Sequence, residues 1–470
     1  METVYLNELV HNGYKPTRVN ERLRKAVRER IERGEEIFPE IFGLEMEKRR
    51  IAEVLMAGRG VLLTGQYGTG KTEISKAVKD LLTDYYKHHE VFYPEICPVQ
   101  EEPFNIAYSL EVPEVRKRGY KLRDACPVCR AEYCNGKKVD LKDVELVRFE
   151  KPVEGKGFAR VQGGSDVTPE ELIGTFNLKK LAEIGDPFNP EVFQPGKIGQ
   201  ASGGVLFVDE LGKLGESGQY ALIQASEEGC VTPAKSRETF PVDELLIATT
   251  NPVDEDNIIG AVLDRLVSIR IPIVDYENEV KIVENSLRKK EYEEAPYVPK
   301  AFLNVMVKAV RKVRESKPEL EIGPRTSINA GLIARESAFF DGRSVANICD
   351  VKEGVYAALL GKATFDEKDS VEAEIRLPSI RDELERLYGI DSDELKAGIE
   401  VLKEMNREEP FSPENIRRAE REQRCSNQGY RAKRPEVKSF VDRVREREKL
   451  KGNKLYEVVG VYYQAYDRGC

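Results

Sequence analysis

Tryptophan is absent from the 470 residues, and no apolar run approaches the roughly 18 residues that a membrane-spanning helix needs. The opening METVYLNELV lacks the basic-then-apolar pattern of a secretory leader. A basic excess is missing as well. The 74 Lys and Arg stand against 83 Asp and Glu for a net charge of −9, which argues against nucleic acid as a general partner. Eight cysteines in so long a chain do not make a disulfide scaffold, and no internal repeat is present. What remains is the expectation of a soluble, cytoplasmic protein of two or three domains with ample room for a core.

The most informative stretch is residues 60–78, GVLLTGQYGTGKTEISKAV. Val61, Leu62 and Leu63 read as a buried strand, and Ile74, Ala77 and Val78 mark one face of a following helix. Between them Gly65, Gln66, Tyr67, Gly68, Thr69, Gly70, Lys71 and Thr72 fit G-x-x-x-x-G-K-[ST] at every fixed position. Such a loop turns backbone N–H groups inward around phosphate oxygens, in conformations that a Cβ resists. The helix start adds its positive dipole end. Lys71 is expected to reach the β- and γ-phosphates, and the Thr72 hydroxyl to ligate Mg²⁺.

Downstream, residues 203–210, GGVLFVDE, read as a continuous apolar strand ending in two carboxylates, Asp209 and Glu210. Asp209 is expected to hold Mg²⁺ through water, and Glu210 to orient and deprotonate the water that attacks ATP. A second buried strand, 245–251, ends in a polar triplet whose last member, Asn251, suits a neutral sensor of the γ-phosphate; a turn-forming Asn before Pro252 is the alternative. A third strand spans 266–271. Strands alternating with helices imply a parallel, doubly wound α/β sheet with its site at the carboxyl ends of the strands. Arg265 is a candidate arginine finger, or else half of an intrachain ion pair with a residue such as Asp264. Arg325 opens a helix from which it could reach the phosphates.

The rest of the chain divides by composition. Residues 1–37 are polar and helix-prone, and the charged run at 20–36 reads as a solvated helix. Residues 38–275 form the α/β core. It is interrupted by a cysteine-containing insertion at about 87–160 and by a further insert at about 165–200, whose 178–195 part reads as a loop or hairpin. Thr168-Pro169 marks a helix start within it. From 276 to 365 the periodicity is helical. The apolar stripe Phe302, Val305, Met306, Ala309, Val310 and Val313 reads as a core face. Residues 366–470 form a charged helical extension. Its 411–455 stretch holds 14 Lys and Arg against 7 Asp and Glu, a solvated face or subunit contact rather than a nucleic-acid surface.

The succession GQYGTGKT, GGVLFVDEL, ATTNP, LDRL and GPRTSINAGLIARESAFFDGR resembles the AAA+ ATPases of the magnesium-chelatase small-subunit and MoxR branch, over about residues 38–360. The resemblance implies a P-loop core with a helical lid and the branch's hairpin insert in helix 2. It also implies a ring, usually a hexamer, in which Arg265 serves the neighbouring subunit's ATP. Related ATPases work with a von Willebrand A-domain partner. The insertion, through CPVQEEP at 97–103 and CPVCR at 126–130, resembles the AAA+ part of PrkA-type serine protein kinases. The motifs H-R-D and D-F-G of ordinary protein kinases are absent. The leading expectation is therefore an ATP-hydrolysing ring that remodels or regulates a partner protein. The alternatives are a PrkA-like serine kinase and an ATP-gated, non-catalytic scaffold.

Cys97, Cys126, Cys129 and Cys134 have the spacing C-x28-C-x2-C-x4-C. The x2 pair lets two thiolates face one ion, so a structural zinc with these four ligands is one reading, with His88 or His89 as a substitute. A redox CxxC and unliganded thiols are the others. Cys230, Cys349, Cys425 and Cys470 read as incidental.

Overall fold

The computed structural model describes residues 4–134, 140–186, 189–233, 236, 238–421 and 434–468. Contacts group the chain into two units, Met1–Gln66 with Gly70–Pro272, and Tyr67–Thr69 with Ile273–Cys470.

The first unit is built on five parallel strands, β1 (Gly60–Thr64), β2 (Gly157–Gln162), β3 (Val205–Asp209), β4 (Leu245–Thr250) and β5 (Leu266–Arg270). Their order across the sheet is β5-β1-β4-β3-β2, with the short Val153–Glu154 strand at the β2 edge. The interior strands read as unbroken apolar runs because both faces are covered. Leu62, Leu206 and Ala248 pack into one apolar cluster; Val61, Leu63, Phe207 and Ile247 pack into another. The register aligns Thr64 with Thr250, Ala248 with Val208 and Asp209 with Gln162, so four strands end at one edge. After β1 the chain turns through Gly70, at φ 86°, into helix α1 (Lys71–His88).

Two expectations about the first unit change. The run at 20–36 is not simply solvated. Its helix, Val19–Glu32, buries Val19, Leu23, Ala26 and Val27 in the same cluster as Leu81, Leu82 and Tyr85 of α1. Even Arg22 is buried: its guanidinium donates to Tyr86 Oη at 3.1 Å and to Thr17 O at 2.7 Å. The inward face was hidden in the sequence because charged residues fill the other positions of each turn. The second change concerns the insertion, which is more regular than its pattern suggests. Phe92–Pro94, Glu145–Arg148 and Val4–Tyr5 form a three-stranded antiparallel sheet, so the amino terminus is built into the insertion.

Within 165–200 the chain forms a small antiparallel pair, and the 178–195 stretch holds a short helix rather than a loop alone. Thr175–Phe176 pairs antiparallel with Phe193–Gln194, and a short helix, Leu178–Ile184, lies between them. The helix starting at Pro169 is capped by the Thr168 hydroxyl, which accepts from Glu171 N at 3.4 Å.

The second unit is helical. It begins with α2 (Tyr276–Lys289), α3 (Lys300–Ser316), α4 (Pro324–Phe340) and α5 (Ile348–Leu360). The stripe on α3 is a core face, each of its six residues being buried. The division at 365 is not seen in the packing. The later helices α6 (Ser392–Met405), α7 (Arg434–Glu448) and α8 (Gly452–Arg468) contribute to one apolar cluster with α3. Phe302 meets Tyr462 edge-on with ring centroids 5.3 Å apart, and Ala301 N donates to Tyr462 Oη at 3.1 Å. Charge density on the outward faces masked this shared core. Part of the basic 411–455 stretch, including Tyr430 and Cys425, lies outside the described residues. Among the described residues no helix is long and apolar enough to cross a membrane.

Candidate functional site

Lys71 opens α1, and its ammonium donates to the carbonyls of Gly65 and of Gln66 (2.9 Å) and to Asn251 Oδ1 at 3.2 Å. The lysine of the glycine-rich loop and the asparagine ending β4 therefore meet, though 180 residues separate them. Asn251 is 3 % exposed. It opens a short 3-10 turn, Pro252–Asn257, without capping it by a side-chain hydrogen bond, and its Oδ1 accepts from the lysine instead.

At the end of β3, Asp209 accepts from the Thr249 hydroxyl at 2.6 Å and pairs with Arg160 at 2.6 Å. Glu210 follows in the left-handed region, φ 55° and ψ 50°, and its N–H donates to Thr249 Oγ1 at 3.0 Å. A non-glycine residue there costs on the order of 1–3 kcal/mol and needs support from its surroundings. That support is visible. Gln162 Nε2 donates to one Glu210 carboxylate oxygen at 2.8 Å, and Lys213 pairs with the other at 2.9 Å. The backbone at 210 also presses on Gly163, where a Cβ would stand 2.1 Å from Glu210 O, so only glycine fits.

Arg160, Gln162, Thr249 and Lys213 were not singled out from the sequence. A signal for the first two exists. Along β2 Ala159 and Val161 are buried while Arg160 and Gln162 alternate with them, so both polar side chains share the other face. Thr249 lay in a quoted strand end but looked like ordinary strand sequence.

The arginines fall in different places. Arg265 pairs with Glu227 at 2.8 Å and donates to Ala261 O, so the intrachain partner is Glu227 rather than Asp264. Its Nε is buried without a hydrogen-bond partner. Arg325 is exposed in the first turn of α4, in the second unit. Two further arginines follow: Arg270 is exposed on β5, and Arg237 lies outside the described residues.

The cysteines form a second focus in the first unit. Cys97, Cys126 and Cys129 converge, but the fourth member is Glu101, not Cys134. Cys134 ends the helix Pro127–Tyr133 and stays outside the group, because the helix carries it away from the two cysteines at its start. His89 stacks on Tyr85 and pairs with Glu29 at 2.8 Å, and is not part of the group either; nor is His88. The sequence signal for Glu101, which lies in the CPVQEEP motif, is its i, i+4 spacing from Cys97. Burial, then the charge on the Cys97 sulfur, pushes the Glu101 carboxyl up to about 8. Cys349, expected to be incidental, is disulfide-bonded.

Strand order and edge together place this chain in a class. A P-loop strand flanked in the order 5-1-4-3-2, with its lysine, acidic pair and asparagine gathered at the carboxyl edge and a helical unit following, defines an α/β P-loop protein of the AAA+ type. More narrowly, the chain belongs to the PrkA AAA domain family, whose model matches residues 6–318.

Among curated proteins it is similar to the magnesium-chelatase subunit ChlI of Anabaena variabilis, 22% identical over 360 residues, 71% of this chain and 93% of that protein. The ChlI subunit of Cyanophora paradoxa is 24% identical, over 66% of this chain and 86% of its own length. A ChlI homolog of Methanocaldococcus jannaschii is 25% identical, over 69% and 84%. Among solved structures, a BchI–BchD magnesium-chelatase complex matches with a TM-score of 0.35 and 20% identity, over 72% of this chain and 98% of that one. A putative ATPase of Cytophaga hutchinsonii matches with a TM-score of 0.32 and 17% identity, over 77% and 97%.

Proposed function

We propose that this chain binds and hydrolyses ATP with Mg²⁺ in an oligomeric ring, and uses the cycle to remodel or regulate a partner protein. The observation that carries this reading is the meeting of Lys71 with Asn251 at the sheet edge where Asp209 and Glu210 also end. The residues fit a magnesium nucleotide. The loop turns at positive φ through Gly68 and Gly70, a cation is held against its carbonyls, and an unbroken acidic pair ends the strand two places away in the sheet. Thr72 and Asp209 would hold Mg²⁺, which supplies charge neutralisation at the phosphoryl oxygens. Lys71 binds phosphate, Asn251 positions the nucleophilic water, and Glu210 takes its proton.

The curated relatives are by name subunits of a larger enzyme, which supports assembly with a second protein, and a von Willebrand A-domain protein is the candidate. Arg265 is the proposed finger toward a neighbour's ATP, and Arg325 acts within its own chain. The family match favours a second reading, transfer of the γ-phosphoryl group to a serine hydroxyl, since Glu210 could deprotonate an alcohol as it does water.

Phosphate release and nucleotide binding test the main reading. Lys71→Ala should abolish tight ATP binding. Glu210→Gln should keep binding and lose about 10²–10⁴-fold in turnover, because only proton removal is lost. A Glu210→Gln protein that hydrolyses ATP at the wild-type rate rules out the base assignment. Labelled ATP that ends on protein serine, rather than as free phosphate, moves the conclusion to the kinase.

A further inference from the structure

Three thiols and a carboxyl group meet inside the first unit, at Cys97, Glu101, Cys126 and Cys129. Their exposures are 5, 4, 0 and 0 %, and one candidate donor atom from each lies within 4.8 Å of the others. An ionised carboxylate in an interior needs a cation or a full set of hydrogen-bond donors. Among the described residues no Lys, Arg or His forms an ion pair with Glu101, whereas its neighbour Glu102 approaches Arg22 at 3.9 Å. The Cys97 and Cys126 sulfurs are 3.8 Å apart, far beyond a disulfide bond. Two thiolates on one tetrahedral zinc, each at about 2.3 Å, stand about 3.8 Å from each other.

The surroundings are arranged as a metal site's outer shell would be. Glu101 N donates to Cys97 Sγ at 3.3 Å, and Cys129 N donates to Cys126 Sγ at 3.4 Å. These are backbone hydrogen bonds that stabilise sulfur as thiolate. Glu101 is aimed by Cys126 N, at 2.9 and 3.0 Å to its two oxygens, and by Asn105 Nδ2 at 3.1 Å. Asn105 is itself held, its Oδ1 accepting from Arg123 N at 3.1 Å. A cavity of about 480 Å³ lined by Arg22, Glu101, Asn105 and Arg123 borders the carboxyl member of the group.

We propose that Cys97, Glu101, Cys126 and Cys129 bind one structural zinc ion. Binding expels the thiol protons, forming three Zn–S bonds and one Zn–O bond with no change of oxidation state. Four protein ligands fill the tetrahedron, so the ion has no open position for catalysis. Its effect is to tie the turn at Cys97 to the helix Pro127–Tyr133, closing the chain between them. The inference does not depend on the ATPase reading.

Metal analysis of the full chain, purified without chelator from zinc-supplemented medium, is expected to give one zinc per chain. Cys126→Ser, Cys129→Ser and Glu101→Ala should each weaken retention about 10–100-fold against a competing chelator dye, while Cys134→Ser keeps its zinc. Because a cysteine variant could fail to fold, the wild-type protein is also titrated with a mercurial, which should release zinc in step with three thiols. Cobalt exchanged into the wild-type protein should show thiolate-to-metal charge transfer and tetrahedral d–d bands. Zinc far below one per chain overturns the proposal. So does full retention by Glu101→Ala, or loss on Cys134→Ser equal to that on Cys126→Ser.

Discussion

Glu279 shows how one residue couples charge to stability. It lies on α2, fully buried, with Arg314 donating to both oxygens at 2.9 and 2.7 Å, Arg311 at 2.7 Å and the Ser327 hydroxyl at 2.6 Å. Burial alone would raise its carboxyl group, but the Arg314 contacts, with Ser327 and Arg311, outweigh it and hold the group below the usual glutamate range. A carboxylate depressed in the folded state contributes stability above the unfolded value, and this is lost as pH falls through the folded one. Glu279→Ala should therefore cost about 3–5 kcal/mol near neutrality, since it leaves two guanidinium groups around an empty acceptor position. Thermal melts of both proteins across acid pH should show the gap closing as pH drops. A gap independent of pH would mean that packing, not charge, sets the effect. Glu210 is the opposite case: its backbone strain is held by Gln162 and Lys213 at the place where chemistry is proposed.

At the scale of elements, α8 shows why the carboxyl-terminal helices are not an appendage. Tyr462 lies fully buried between α3 and α7, donating at 2.6 Å to Glu448, which also accepts from Tyr297 at 2.7 Å and from Tyr388. The buried carboxylate is satisfied by three hydroxyl groups and by Lys300 N at 3.2 and 3.3 Å, so each tyrosine removed takes away one donor. Tyr462→Phe keeps the ring contact with Phe302 and is expected to lower stability by about 1.5–3 kcal/mol, the range for a hydrogen bond to a charged group. Chemical denaturation should show a lower midpoint with an unchanged slope. An unchanged midpoint would show that water replaces the hydroxyl. In the first unit β2 does similar work, because its alternation puts Arg160 on Asp209 and Gln162 on Glu210.

At the scale of the whole molecule, the proposed ring predicts complementation. A finger from outside the P-loop side of the γ-phosphate is worth roughly 10³–10⁵-fold in turnover, about 4–7 kcal/mol. Arg265→Ala should therefore keep ATP affinity within a few fold and lose most hydrolysis. Mixed with Lys71→Ala subunits, it should regain part of the activity, since an intact pocket then meets an intact finger. Arg325→Ala should not be rescued in this way. Mixed rings that form, by native mass spectrometry, yet stay inactive would remove Arg265 from the trans role and leave it as the partner of Glu227.

The sequence by itself determined the P-loop, the acidic pair, the asparagine strand end, the helix at Pro324 and the helical stripe on α3. Each is a local pattern, a few residues whose spacing is set by one turn or one strand. Only the tertiary structure decided which residues meet across the chain. Glu101 replaces Cys134 beside the cysteines because a helix start and a distant turn converge there. Arg265 takes Glu227, Arg160 takes Asp209, and the helices at 392–405, 434–448 and 452–468 join the apolar core of the second unit. Such pairings depend on strand order and helix packing, to which spacing along the chain is blind. Hydrophobic burial selects them by total area, so a charged surface pattern can conceal an inward face until the neighbouring element is known.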